Sequence, residues 1–362
     1  MNIKKRIEDV RKVMGERQVD CLILAPSTDL YYVTGFCGLA MERPIFLIVR
    51  QEDACFILPR FEADNLQKEI KEQIPCILWQ ETEDPYEKAA ACIGNKKLRI
   101  AAGDTMPNVM AYRLARKMEQ VTWRLGQEVM EELRATKDAT ELEALTAAQQ
   151  KSETALSRTL KQGLAGYTER EVALRLKGHL EEEGLVCQGM PLVASGQYGA
   201  MPHHQAEDIK ICPKDAVIID FGGSYEGYYS DITRTAAVGK PPEGFEEVYE
   251  IVRAANETAF KKAKPGVPCE SLDESAREII REAGYGQFFT HRLGHGIGLD
   301  IHEPPYIVAG NRSVLQEGNV FSNEPGIYLP GRFGVRLEDD LYVGPEEARC
   351  LTGLGHEILI VD

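Results

Sequence analysis

Among nine cysteines the sequence has no CxxC pair, and an odd number cannot pair off completely. A disulfide framework is therefore not expected, and the protein reads as reduced and cytoplasmic. Long hydrophobic runs are missing as well: no stretch reaches the ~18 consecutive apolar residues of a membrane-crossing helix. The opening MNIKKRIEDVRKVMGERQVD is charged throughout, without the apolar segment of a signal peptide. No membrane partner is expected. Basic charge is in deficit, with 42 Lys plus Arg against 57 Asp plus Glu and a net charge of −15. That balance argues against a nucleic-acid partner, whose phosphates call for a basic face. An excess of carboxylates can instead bind divalent cations.

With 362 residues, 43% hydrophobic and 27% charged, the chain is long enough for two globular domains. Ile3, Ile7, Val10 and Val13 mark one helical stripe. Strand-like runs at 21–25, 45–49, 55–58, 76–78 and 100–102 alternate with helical segments near 61–71, 85–93 and 107–118. Such alternation predicts an α/β domain with a mixed sheet, because 45–58 reads as a hairpin turning at Gln51, Glu52 and Asp53. This part has no GxGxxG, P-loop or nucleophile elbow, so it reads as scaffold and substrate gating. Residues 126–163 are polar, alanine-rich and helical, with a break at 136–139. The domains are expected as 1–125 and 126–362. A helix from Thr168, capped by that threonine with Glu171 three residues on, follows.

Every residue of chemical interest lies beyond position 200. The stretch FFTHRLGHGIGLDIHEPP, 288–305, holds three of the seven histidines. Gly294, Gly296 and Gly298 flank His295 and Ile297, so the backbone there either admits something bulky, such as a metal, or adopts angles other residues avoid. Upstream, VIIDFGGSYEGYYSDITRTAAVG reads as a hairpin with strands near 217–222 and 228–237. A turn between Tyr225 and Glu226 sets Asp220 opposite Asp231. In FSNEPGIYLPGRFGVRLEDD the turn is Pro330-Gly331-Arg332, and counting outward sets Glu324 opposite Glu338. Opposed carboxylates on apolar-flanked strands repel unless a cation lies between them. Four carboxylates and one imidazole make a hard, oxygen-rich site. It suits Mn²⁺ best, with Co²⁺, Zn²⁺ and Fe²⁺ also admissible. Four negative charges exceed what one divalent ion neutralises, so two ions ~3.5 to 4 Å apart are expected, acidifying a shared water for hydrolysis.

These residues carry a family likeness. Asp220 in IIDFGG, Asp231 in SDITRT, His295 in GHGIGL, Glu324 in NEPGIY and Glu338 in GVRLED resemble, in order and type, the five ligands of the pita-bread metallopeptidases. The resemblance covers essentially the whole chain. It implies a creatinase-like N-terminal α/β domain, containing LYYVTGF, followed by a pita-bread catalytic domain. Within that group the N-terminal domain and the SDITRT form favour the Xaa-Pro peptidases, aminopeptidase P and prolidase. The substrates implied are proline-containing peptides, and the assembly implied is a homodimer. His203 in PHH and His302 in IHEPP resemble the family histidines that hydrogen-bond substrate, and Glu324 its proton shuttle. Arg336, two residues before Glu338, shares that residue's face and is a candidate to support the site or meet a substrate carboxylate.

Two positions depart from the common pattern. Arg292 stands where a small or polar residue is frequent, and Tyr306 where prolidase-like members often carry an arginine. Loss of that cation at Tyr306 predicts that longer peptides are accepted alongside dipeptides. Two other readings belong to the same fold: a lyase acting on sulfonium compounds, and a catalytically silent binding module. The intact set of five ligands and two histidines counts against both.

Overall fold

The computed structural model describes residues 2–94 and 97–362, which divide into two compact units, Met1–Arg134 and Ala135–Asp362. In the first, α1 (Ile3–Glu16) turns Ile3, Ile7, Val10 and Val13 inward, the stripe its spacing marks. Six strands, β1 (Cys21–Leu24), β2 (Phe46–Arg50), β3 (Ala54–Pro59), β4 (Cys76–Trp79), β5 (Leu98–Ala102) and β6 (Val121–Leu125), form one sheet ordered β4-β3-β2-β1-β5-β6. The β1–β2 and β2–β3 pairs are antiparallel and the other three parallel, so the sheet is mixed. The β2–β3 hairpin closes where the Arg50 amide donates to the Asp53 carbonyl at 2.8 Å.

Helices α2 (Thr28–Thr34), α3 (Lys68–Gln73), α4 (Pro85–Ile93) and α5 (Asn108–Ala115) complete the connections. Neither β6 nor α2 is evident from the sequence. The aromatic and β-branched run LYYVT disfavours a helix locally. It becomes one because Ser27 Oγ accepts from the Leu30 amide and Gly35, at φ 76°, ends it. The division of the chain also comes later than the expected 125/126. α6 (Gln127–Ala135) belongs mostly to the first unit: Tyr32 OH donates to the Leu133 carbonyl at 2.9 Å, and Arg134 Nη1 lies 2.8 Å from Asp29 Oδ1.

The second unit holds α7 (Ala139–Leu160), α8 (Glu169–Glu182), α9 (Phe245–Lys262) and α10 (Cys269–Glu282). Capping boxes start α7 at Asp138 with Glu141 and α8 at Thr168 with Glu171. Its strands are β7 (Leu192–Ser195), β8 (Ala216–Phe221), β9 (Ser224–Tyr225), β10 (Tyr228–Tyr229), β11 (Ile232–Val238), β12 (Gly294–Gly296), β13 (Glu303–Ile307), β14 (Val320–Asn323), β15 (Gly326–Leu329), β16 (Phe333–Arg336), β17 (Asp339–Val343), β18 (Ala348–Cys350) and β19 (Leu359–Val361). They make sheets ordered β19-β11-β8-β7 and β13-β12-β14-β17-β18, with ribbons β9–β10 and β15–β16.

Each helix pair covers its own apolar layer. Leu156, Val172, Leu176 and Leu180 pack with Val193, Val217, Ile219 and Ile232. Phe245, Val252, Leu272 and Ile280 pack with Phe321, Ile327, Val335 and Leu341. Full burial of such side chains contributes about 1.5–3 kcal/mol each, and this rigid support holds the strands carrying the candidate site. Among the described residues no helix is long and apolar enough to cross a membrane.

The two carboxylate hairpins differ in how they meet expectation. In the second, Gly326 pairs with Arg336 and Asn323 with Asp339, so the same register runs through Glu324 and Glu338. In the first, Asp220 pairs with Thr233 rather than Asp231. The turn is Glu226-Gly227, both at positive φ, 52° and 89°, so the register is displaced by two residues. A displacement of two preserves the face, and Asp231 becomes a diagonal rather than direct neighbour of Asp220.

Candidate metal centre and active site

The two sheets of the second unit meet where Thr233 bridges Glu338, the Glu338 amide donating to the Thr233 carbonyl at 3.1 Å. Buried Arg234 fastens this junction: Nη1 donates to the Glu338 carbonyl at 2.7 Å and Nη2 contacts Asp339 Oδ1 at 2.7 Å. An unpaired guanidinium there would be costly, and the carbonyls of Thr233 and Leu354 take further donors. His295 reaches the junction from β12. A Cβ on Gly294 would lie 1.8 Å from the Ser322 carbonyl oxygen, and one on Gly296 2.2 Å from that of Pro304. These glycines therefore serve close strand approach; a bulky ligand is not what requires them, and their φ angles are not left-handed.

A cavity of about 620 Å³ opens over the junction. Asp220, Asp231, His295, Glu324 and Glu338 all line it, as do His203, His302 and Arg336. Tyr306 does not. Ligand atoms of Asp231, His295 and Glu338 all lie within 4.8 Å of one another. His295 Nε2 is 3.5 Å from Glu324 Oε1 and 3.7 Å from Asp231 Oδ2. Its Nδ1 lies 3.1 Å from the Gly296 carbonyl. A carbonyl only accepts, so Nδ1 carries the proton and Nε2 presents a lone pair to the carboxylates. Burial together with neighbouring His302 holds the His295 pKa down to about 3, so the ring is neutral.

Carboxylate oxygens and one imidazole lone pair are thus gathered around one point. Desolvation and then the Asp220 charge hold the Asp231 carboxyl well above its usual range. Glu338 is raised likewise by burial and by Asp231, and Glu324 is pushed up by burial to about 7. A divalent cation would relieve all three. This donor set of carboxylate oxygens and one neutral imidazole fits such an ion, which Asp231, His295 and Glu338, with Glu324 beside them, could hold. Asp220 faces a different partner, with Oδ2 2.5 Å from Arg336 Nη2.

Arg336 is fully engaged. Its Nε donates to Thr233 Oγ1 at 3.1 Å and Nη1 to Tyr328 OH at 2.9 Å, in addition to Asp220. It therefore orients the site's own carboxylate from a buried position. His204 is likewise occupied, with Nε2 2.7 Å from Glu169 Oε2 beneath the loop, while exposed His203 lines the cavity. The ring centroids of His302 and His295 lie 4.2 Å apart.

Sequence reasoning left out three contributors. His291 lines the cavity and contacts Tyr328 OH at 2.8 Å, and burial lowers its pKa to about 4. Thr233 donates to Glu338 Oε2 at 2.6 Å. Asp340 Oδ2 accepts from the Asp231 amide at 3.1 Å and from Gln149. Only His291 had a signal, its place in the histidine-rich stretch.

Residues 143–345 match the family model described as metallopeptidase family M24. The chain belongs to that family. Residues 6–136 of this M24 chain match the creatinase/prolidase N-terminal domain, so the two-domain, pita-bread architecture is borne out, and with it dependence on divalent metal. The Xaa-Pro dipeptidase of Pyrococcus furiosus is 34% identical over 358 residues, covering 99% of this chain and 100% of that one. A crystal structure of dipeptidase PepE from Mycobacterium ulcerans superposes with a TM-score of 0.94 at 34% identity, over 99% and 98% of the two chains. That of an X-Pro aminopeptidase from Thermotoga maritima gives 0.85 at 32%, over 98% and 99%.

Proposed function

We propose that this M24 chain hydrolyses the peptide bond between an N-terminal residue and a following proline. The observation that carries the reading is the gathering of Asp231, His295 Nε2, Glu324 and Glu338 around one point of the cavity. Asp220 completes the ligand set, and Mn²⁺ is the ion its hard donors favour. Divalent ions held there would supply a Lewis acid and an acidified water for attack on the scissile carbonyl.

The remaining work falls to side chains. Glu324, with Oε1 3.5 Å from His295 Nε2 at the cavity wall, is placed to take a proton from the attacking water and return it to the leaving proline nitrogen. His302, whose pKa burial lowers, is neutral at working pH and donates an N–H to the carbonyl oxygen as charge grows there, with His203. Met190, Pro191, Leu192, Phe221 and Ile301 supply apolar wall for the pyrrolidine ring. Proline nitrogen has no N–H and its ring obstructs extended-strand recognition, so the grip must come from carbonyl, amine and ring. A homodimer acting in the cytoplasm completes the proposal; all nine cysteines are unpaired, which suits a reducing compartment.

The test is a panel of Xaa-Pro and matched Xaa-Ala peptides with enzyme stripped of metal and reloaded with Mn²⁺. Xaa-Pro cleavage is expected to exceed Xaa-Ala by roughly 100-fold in kcat/KM, a discrimination of the size a pocket can supply. Hydrolysis of both at equal rates would remove the proline assignment.

Proton linkage gives a second check. Glu324 titrates near 4.5 in the unfolded chain and at about 7 in the folded one. A raised carboxyl pKa means the metal-free folded state binds more protons in that window, so its stability falls as pH rises through it. His295 is already neutral and adds no proton to displace. An ion must displace the carboxyl protons and then cancels the repulsion. The Mn²⁺-induced rise in Tm should accordingly be small at pH 5 and grow through pH 7 to 8. A metal-induced shift of constant size across that range would contradict this ligand assignment.

A further inference from the structure

Gly296 on β12 pairs with Glu303 on β13, and between them residues 297–302 form a loop that brings Ile301 and His302 to the cavity. The loop is tied down where it leaves β12. The Ile297 amide donates to the Val320 carbonyl at 3.1 Å, and the Gly298 carbonyl accepts from the Tyr229 amide at 2.8 Å. At its other end stands His302, exposed toward the cavity and followed directly by buried Glu303, where β13 begins. Where His302 sits is therefore set by what holds Glu303.

That holder is a lysine distant in sequence. Lys137 Nζ lies 2.7 Å from Glu303 Oε1, with the two side chains only 1% and 5% exposed. The lysine's own backbone is fixed separately: its amide donates to the Gly318 carbonyl at 2.8 Å, Thr136 bridges Asn319, and Asn319 Nδ2 donates to the Ala135 carbonyl at 3.0 Å. Glu303 in turn folds the loop back on itself, its Oε2 accepting from the Asp300 amide at 3.4 Å. Gly298 leaves the space for this carboxylate, since a Cβ there would lie 2.5 Å from Glu303 Oε1. Burying two charges costs desolvation that their attraction does little more than offset, and an apolar pair of similar volume would serve stability as well. What the ion pair adds is a fixed distance and direction between the segments that carry it.

We propose that Lys137 and Glu303 are positioning residues for His302, their buried ion pair locking the 297–302 loop so that the His302 ring meets the scissile carbonyl oxygen. Neither residue lines the cavity, so both act through His302 and not on substrate. This deepens the Xaa-Pro reading and rests on it, and in particular on His302 as the donor to the growing oxyanion.

The experiment is a double-mutant cycle on the Mn²⁺-loaded full chain with an Xaa-Pro dipeptide. Lys137→Met should lower kcat by roughly 10- to 100-fold, approaching the loss of the donor itself, while KM and bound Mn²⁺ stay near their original values. Lys137→Arg should recover part of that loss. In a His302→Ala background the same Lys137→Met change should cost no further activity, because no ring is left to position. Lys137→Met with Glu303→Leu removes both charges together, so the interior stays neutral; it should fold and show the same fall in kcat, and it takes the place of the single variant in the cycle should Lys137→Met alone fail to fold. Equal losses with and without His302, an unchanged kcat in a folded Lys137→Met enzyme, or loss of Mn²⁺ from it would overturn the assignment while leaving Xaa-Pro hydrolysis intact. An unchanged kcat in His302→Ala alone would overturn it by removing the role of His302, and no cleavage of any Xaa-Pro peptide by the unmodified enzyme would remove the function beneath both.

Discussion

Asp231→Ala is expected to lower kcat/KM on Xaa-Pro substrates by at least about 10³-fold, since it removes a ligand whose ions supply several kcal/mol of transition-state stabilisation. The fold should survive the change. Asp231 makes its hydrogen bond to Asp340 through the backbone amide, so alanine keeps that contact. Its carboxyl is held well above the usual range by burial and by Asp220, which marks it as a source of strain when no cation is present. Two opposite stability shifts should follow. Without metal, the variant should melt above the unmodified protein, because repulsion is relieved. With saturating Mn²⁺ the order should invert, because only the unmodified chain gains full binding energy. Elemental analysis alongside calorimetry checks both. Activity that survives exhaustive chelation, or an Asp231→Ala enzyme that still turns over, would end the metal mechanism.

His302→Ala and His295→Ala are expected to fail differently although their rings touch. His295 is buried with its Nε2 lone pair facing Asp231 and Glu324, so its loss should reduce bound metal. His302 lines the cavity, and Asp231, His295 and Glu338 form the ligand cluster without it. Its loss should leave metal content unchanged and lower kcat by about 10² or more, the usual cost of removing a donor to a developing oxyanion. Equal metal loss in the two variants would show that His302 is a ligand and not a donor.

Much of the site was legible because β-hairpin geometry is set by few residues. Pro330-Gly331-Arg332 fixes the β15–β16 register, and simple counting carries it to Glu324 and Glu338. The β8–β11 hairpin was misread by two positions because Glu226-Gly227 does not carry the usual Asn-Gly signature of a two-residue turn. The error was harmless, since strand faces repeat every two residues. Engagement of polar groups was less legible. Nothing in the order of residues says that Arg336 is spent on Asp220 and Tyr328, or that Arg292 stacks on Tyr306 from the segment before β12. Those facts follow from distances between segments, which spacing along one strand does not encode. The same holds for α2, whose capping residues override the β propensity of its interior.

The Thr233–Glu338 junction joins positions 105 residues apart. Contacts of that span form late, because the loop they close must first lose its entropy. The cluster of acceptors therefore has no counterpart in a partly folded chain, and an ion finds nothing multidentate to grasp until the two sheets have met. Loading then follows folding, through the open cavity. A cell short of the ion would accumulate finished but idle enzyme, and resupply of the ion alone would switch on the stored pool without new synthesis or refolding.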